Sequence, residues 1–195
     1  MVELQHRAAI PFELHSFLQA HPRAGVAAFD SMEFQLAKRA VRAALNTDQN
    51  GLCVYCERRL AADEGQLEHI KPKGGPNAHP LLCFTYTNFA HGCINDRTCG
   101  QKKKNGLLPI EPGPNCNADW TLSTDGAIEP TSNQTRARKH AVRQTRDMLG
   151  LNNAALMLER RRFLDAFVRV LRETPNDSHQ FLGLVPFRHI LGTVL

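Results

Sequence analysis

Between about residues 30 and 46 apolar side chains recur at helical spacing, with Phe34, Ala37, Val41, Ala44 and Leu45 on one stripe. Lys38, Arg39 and Arg42 fall on the other side, and Asp30 followed by Glu33 has the spacing of a capping box at the start. The preceding thirty residues, interrupted by Pro11 and Pro22, predict short helical or irregular segments packed onto this helix. From about 51 to 130 the helical period disappears, and Gly51, Gly65, the Lys-Gly-Gly-Pro run at 73–76 and Pro80 punctuate the chain. Gln66 to Ile70 reads as a short strand ending at Lys71-Pro72. Trp120-Thr121-Leu122 and Ala127-Ile128, separated by Ser-Thr-Asp-Gly, read as a β-hairpin. Thr135 to Leu149 then predicts a basic helix closed by Gly150. Asn152 or Asn153 caps a longer one carrying Leu156, Phe163, Leu164, Phe167 and Leu171 on one face until Pro175. The fold class is therefore α+β. An N-terminal helical segment (1–50) and a C-terminal hairpin-plus-helix segment (111–195) flank a small irregular core (51–110), and the three form one compact unit.

Length and composition narrow the picture. The 195 residues, 42% of them hydrophobic, suffice for one packed domain with helical additions. No run of eighteen apolar residues is present, so no membrane span is expected. Met1-Val2-Glu3-Leu4-Gln5-His6-Arg7 lacks a signal-peptide pattern, which makes the cytoplasm the expected location. A net charge of +5 suits phosphate-rich partners without establishing one.

Four of the 6 cysteines are grouped. Cys53-Val-Tyr-Cys56 is a tight C-x2-C pair, and Cys93 with Cys99 forms a wider pair about forty residues on. A two-residue gap lets both sulfurs of the first pair face one ion from a single turn. The wider pair needs an extra bend, for which Asn95-Asp96-Arg97 has the composition. Four thiolates match the tetrahedral, soft-ligand preference of structural Zn2+. The competing readings are a redox pair or four buried thiols. A thioredoxin-like C-x-x-C would sit between a buried strand and a helix, a context missing here. Cys83, next to Leu81, Leu82 and Phe84, reads as core, and Cys116 is assigned no role.

Between the two pairs lies Leu67-Glu68-His69-Ile70-Lys71-Pro72, with Asn88 nineteen places after His69. A lone histidine is usually a packing or surface residue. This one stands at a strand end beside a carboxylate, inside a cysteine framework. Phosphodiester hydrolysis needs an activated water, neutralised phosphate charge and help for the leaving oxygen. A neutral imidazole near its natural pKa can take the water's proton at neutral pH, and a divalent ion held by Glu68, Mg2+ or Mn2+, can supply the rest. Asn88 can hold the loop that orients His69, or bind the ion through its amide oxygen.

The order C-x2-C, Glu-His-Ile-x-Pro, Asn, Cys, Cys-x3-Lys resembles the HNH endonuclease family with its ββα-metal fold. That resemblance implies His69 as general base, Glu68 as the adjacent metal-facing acid, Asn88 as the residue steadying the loop, and Cys53, Cys56, Cys93 and Cys99 as the zinc site. It also implies nucleic acid, DNA first and RNA second, as the partner. Lys71, Lys102, Lys103 and Lys104 are then the candidate nucleic-acid contacts, Lys103 matching the family's lysine. One departure stands out. The residue after the last cysteine, commonly His or Asn in the family, is Gly100, leaving Gln101, Asn95, Asp96, Asn105 and His91 as candidates for the ion's second protein ligand. The phrase Gln49-Asn-Gly-Leu-Cys-Val-Tyr-Cys-Glu57, the preceding helix, and Leu149-Gly-Leu-Asn152 with Leu156 and Arg160 are similar to the PtuB-like subgroup of Septu and retron antiphage systems. This further resemblance implies a defence role beside an SMC/ABC-type ATPase partner, PtuA.

Two alternatives stay open on the residues alone. One is a zinc-stabilised nucleic-acid or protein-binding module without catalysis, favoured by Gly100, and the other a thiol oxidoreductase. The basic residues Arg136, Arg138, Lys139, His140, Arg143 and Arg146, and the run Arg160-Arg161-Arg162, are either solvated faces or phosphate contacts, and the second run can also pair with Glu159 and Asp165.

Overall fold

The computed structural model describes all 195 residues, Met1–Leu195. After an extended start, α1 (Phe12–Ala20) leads through a 3-10 turn at Val26–Asp30 into α2 (Gln35–Asp48). β1 (Gln66–His69) and β2 (Phe89–Gly92) follow, then the short α3 (Cys99–Lys103), β3 (Trp120–Leu122) and β4 (Ile128–Pro130). Four helices complete the chain: α4 (Arg136–Leu149), α5 (Ala154–Glu173), α6 (Ser178–Leu184) and α7 (Arg188–Gly192). No helix is long and apolar enough to cross a membrane.

The expected stripe Phe34, Ala37, Val41, Ala44 and Leu45 is buried, but α2 begins later than its capping-box spacing suggests. Phe34 occupies the cap position and no side chain caps the helix. Asp30 instead ends the 3-10 turn, where its two carboxylate oxygens take Lys38 at 3.1 Å and Lys73 at 3.3 Å. A tertiary pairing with two lysines has displaced the local cap. The later helices keep their local signals. Thr135 accepts from the Arg138 amide, Gly150 closes α4 at φ 62°, and Asn153 accepts from the Ala155 amide at the start of α5. The Ser-Thr-Asp-Gly hairpin forms as read, with Trp120 opposite Pro130 and Leu122 opposite Ile128.

Two apolar clusters organise the packing. The smaller joins Leu14, Phe17, Phe29, Phe34 and the α2 stripe to Leu67, Cys83, Tyr86 and Phe89, so it lies on one face of the β1–β2 pair. The larger joins the cysteine turn to the β3–β4 hairpin, α4, α5 and α7. Gln49, wholly buried at the end of α2, connects them: Nε2 donates to Leu52 O at 2.7 Å and His91 O at 2.8 Å, while Oε1 accepts from the His91 amide at 2.8 Å.

The short helices α6 and α7 carry no helical period in the sequence. They are held by tertiary partners: the Phe187 amide donates to Glu57 O, and Glu57 Oε2 accepts the His189 amide and ring nitrogen. Phe187 has φ 61°, a conformation costing a non-glycine residue about 1 kcal/mol or more, and the complete burial of its ring compensates.

Arg160 differs from the open surface reading of its run, because it is 1% exposed. Its guanidinium donates to Gly126 O at 2.8 Å, Leu151 O at 2.6 Å and Asn152 Oδ1 at 3.3 Å, fastening the hairpin turn to α5. Burial lowers its pKa to about 10, so it remains charged at neutral pH. Arg160→Met keeps the stem but strands two buried carbonyls. Unmet buried polar groups cost about 1–3 kcal/mol each, so chemical denaturation should show stability reduced by several kcal/mol with nucleic-acid affinity unchanged. An unaltered midpoint would refute the fastening role.

Candidate active site

β1 and β2 run antiparallel with Gln66 opposite Gly92, Leu67 opposite His91, Glu68 opposite Ala90 and His69 opposite Phe89. Cys93 follows β2 directly and Cys99 opens α3. The Cys53–Cys56 turn is closed by the Cys53 amide donating to Arg58 O and the Glu57 amide donating to Cys53 O. The four sulfurs all lie within 4.8 Å of one another, with Cys53–Cys99 and Cys56–Cys93 each 3.8 Å apart. A tetrahedron with metal–sulfur bonds of about 2.3 Å has edges of about 3.8 Å, so the cluster has the size to hold a metal ion. All four thiols are free, and Cys93 donates its amide to Cys53 Sγ at 3.3 Å. Burial opposes ionisation of Cys53, but sulfur hydrogen bonds from its three neighbours outweigh it and hold its thiol well below the ordinary range.

Alternation along β1 sends Leu67 and His69 to one face and Glu68 to the other. The Glu68 carboxylate lies between two glycines. A Cβ at Gly92 would stand 2.8 Å from Glu68 Cγ, and one at Gly100 would fall on the carboxylate itself. Gln66 Nε2 donates to Glu68 Oε1, and Gln101 Nε2 donates to Gln66 Oε1 at 2.7 Å. Burial pushes the Glu68 pKa up, opposed by the Lys103 charge and the Gln66 hydrogen bond.

His69 is 8% exposed, its ring 4.6 Å from Phe29 and 5.1 Å from Phe89 between centroids. Nε2 lies 2.9 Å from Cys83 O. A carbonyl can only accept, so Nε2 carries the proton and Nδ1 keeps the lone pair. Burial lowers the His69 pKa to about 4, with the charges of Lys73, Lys103 and Lys38 adding to the effect. The ring is neutral at neutral pH, but burial makes it a weaker base than the imidazole near its natural pKa that the sequence suggests. Asn88 uses its whole amide on the backbone: Oδ1 accepts from the Lys71 amide at 2.8 Å, and Nδ2 donates to Lys71 O at 3.0 Å and Leu82 O at 3.2 Å. It thereby ties the turn after β1 to the loop that presents Cys83.

Glu68 and His69 open into one cleft of about 220 Å3, with Lys73, Lys103, Lys104 and Asn105 among its walls. The four lysines singled out from sequence are dispersed. Lys104 is in this cleft. Lys103 is 5% exposed and turns its ammonium onto His69 O at 2.9 Å, and burial lowers its pKa. Lys102 faces a separate polar hollow with Arg97 and Arg146, and Lys71 is half-buried outside the cleft. The candidates for a second ligand also separate. Gln101 is linked to Glu68 through Gln66, and Asn105 is on the cleft wall. Asn95 accepts from the Arg97 amide, Asp96 is exposed outside the cleft, and His91 is buried with its ring between Asn46 and Glu64 O. Three features escaped the sequence reading: Gly92, the Cys83 carbonyl and Phe29. None of the three is marked along the chain, because each meets Glu68 or His69 only through the fold.

No family model matches the chain. Over 201 residues, 98% of this chain and 98% of the relative, it is 42% identical to the "Retron Vc95 putative HNH endonuclease" of Vibrio cholerae serotype O1 biovar El Tor. With that identity over nearly the full length of both proteins, this chain belongs to the HNH endonuclease family and is a nuclease.

Proposed function

We propose that this nuclease hydrolyses phosphodiester bonds of DNA, using His69 as general base and Glu68 as ligand to a divalent ion, Mg2+ or Mn2+, in a ββα-metal core made of β1, β2 and α3. The observation that carries the reading is the state of His69. Its Nε2 is committed to Cys83 O, its ring is neutral, its Nδ1 has no hydrogen-bond partner, and the residue borders a lysine-lined cleft. That nitrogen can take the proton of an attacking water. The ion would supply charge neutralisation on the phosphate and stabilisation of the leaving oxygen. Lys73 and Lys104 add positive charge at the rim, and Asn88 and Lys103 act as positioning residues through the backbone on either side of His69. Zn2+ on the four cysteines fits the size and donor set of that cluster. The nuclease core is assigned to 51–110, with 1–50 and 111–195 bracing it.

Gly100 bears on the non-catalytic alternative. The glycine leaves the room in which the Glu68 carboxylate lies. Gln101, linked to Glu68 by Gln66, is the best-placed companion ligand. The word retron in the relative's name supports a role in antiphage defence, and on the resemblance to PtuB-like nucleases alone we extend the reading to a cytoplasmic location and a PtuA-like ATPase partner.

Cleavage of plasmid DNA in Mg2+ or Mn2+ should vanish in His69→Ala, with circular dichroism and zinc content unchanged, and undiminished cutting would sink the assignment. Gly100→Ala separates packing from propensity. Alanine favours a helix by about 1 kcal/mol over glycine, yet here its methyl must displace Glu68, so we expect lower stability and at least a tenfold loss of cleavage. Equal activity with raised stability contradicts the cradle. Metal analysis should find one zinc per chain, and Cys53→Ser or a strong chelator should lose it together with the cooperative melt.

A further inference from the structure

Beside the cleft lies a second hollow of about 330 Å3, with Asp30, Lys38, Arg39, Arg42 and Gly65 in its wall. The two share Phe29, Gln66 and Leu67, so they adjoin at the start of β1. We infer that a strand of the substrate leaves the cleft along this hollow, its phosphates held by Arg39 and Arg42 on α2 with Lys38 and Lys73 at the junction. The inference rests on the nuclease reading of the cleft and extends it to a binding surface outside the 51–110 core.

The charged face of a helix is most often merely solvated. Three observations separate this one from that default. First, Arg42 is held in place without being neutralised. Its Nε donates to Ala62 O at 3.1 Å and its Nη1 to Gly65 O at 3.4 Å, and no carboxylate is within ion-pair distance. Carbonyls fix the guanidinium plane and leave its full charge for an anion, which suits the planar, forked recognition of phosphate. Second, Arg39 is exposed on the same wall with no hydrogen-bond or ion-pair partner. Third, Lys38 and Lys73 are stacked on Phe29 at 4.2 Å and 3.7 Å from its centroid, and Phe29 packs on His69. Cationic side chains therefore follow one another from α2 to the rim of the base. Asp30 is the one acid in the hollow, and it is shared between those two lysines.

The basic helix α4 is a weaker candidate for the same task. Arg138 is paired with Asp119, and Arg146 with Glu129 and Asp147. Arg136, Lys139 and Arg143 make no ion pair, but no residue of α4 borders the cleft or the hollow beside it.

The test uses the full-length chain with Arg39→Ala, whose side chain supports nothing else in the structure, and the double variant Arg39→Ala/Arg42→Ala. Two readouts are needed: affinity for labelled duplex DNA, single-stranded DNA and RNA across a salt series, and hydrolysis of bis(4-nitrophenyl) phosphate, a diester too small to reach α2. For duplex DNA each lost phosphate contact should flatten the log–log salt slope by about 0.9. We expect a slope change of about one contact for Arg39→Ala and about two for the double variant, with several-fold weaker binding each time and wild-type hydrolysis of the small diester. The nucleic acid whose slope changes identifies the strand type recognised. Unchanged slopes and affinities in the double variant overturn the hollow while leaving the cleft intact. A wild-type protein that shows no His69-dependent hydrolysis of either substrate overturns the reading of the cleft, and this inference with it. Loss of small-diester hydrolysis in Arg39→Ala would also count against it, since that outcome makes the residue part of the cleft rather than of a track beyond it.

Discussion

The distance between α3 and β1 is set by four sulfur atoms, and nearly everything in the site depends on that distance. β1 and β2 are four residues each, and a two-stranded pair of this size is at best marginally stable alone. Cys53 and Cys56 come from the turn that precedes the pair, Cys93 from the residue directly after it, and Cys99 from the residue that opens α3. Closing these sulfurs into one cluster brings α3 back across the strands. Only then does Gly100 meet Glu68 and Lys103 reach the carbonyl of His69. Cys99 adopts φ 57° to do so, a conformation that costs a non-glycine residue about 1–2 kcal/mol and that a metal on the cluster would repay.

Once α3 is in place, burial does the chemical work. Glu68, His69 and Lys103 are each less than 9% exposed, and burial pushes each toward its neutral form. Glu68 and Lys103 resist through each other's charge. His69, surrounded by cations instead, has no such support and remains neutral. A base with an available lone pair and an acid in anionic competition with burial can thus stand on consecutive residues of one strand, because the strand's alternation turns them to different surroundings.

Much of this was legible along the chain because it is encoded locally. The cysteine spacing, the apolar stripe of α2, the Ser-Thr-Asp-Gly turn and the Thr135 and Asn153 caps each use residues a few positions apart. What escaped reading depends on distant partners. Asp30 has the spacing of a cap, yet two lysines from other elements claim it. Arg160 sits in a run of three arginines, yet only Arg160 turns inward, because Gly126 O and Leu151 O await it there. Lys103 and Lys104 are neighbours in a basic run and both border the cleft, yet Lys103 is buried with its ammonium on His69 O while Lys104 stays exposed. Charge patterns alone do not reveal which cation the fold consumes.

The N-terminal segment is part of the site for the same reason. Leu67 and Phe89, one on each strand, belong to the apolar cluster built by α1, α2 and Phe29. His6 reaches Phe89 O at 2.8 Å, and Phe29 covers the ring of His69. The neutral state of His69 therefore depends on a cluster whose residues are mostly more than twenty positions away in sequence. The lysines that raise the local potential are themselves stacked on Phe29. One phenylalanine thus packs against the base and carries two cations. The first fifty residues supply the low-dielectric wall without which the acid–histidine strand would be an ordinary exposed hairpin edge.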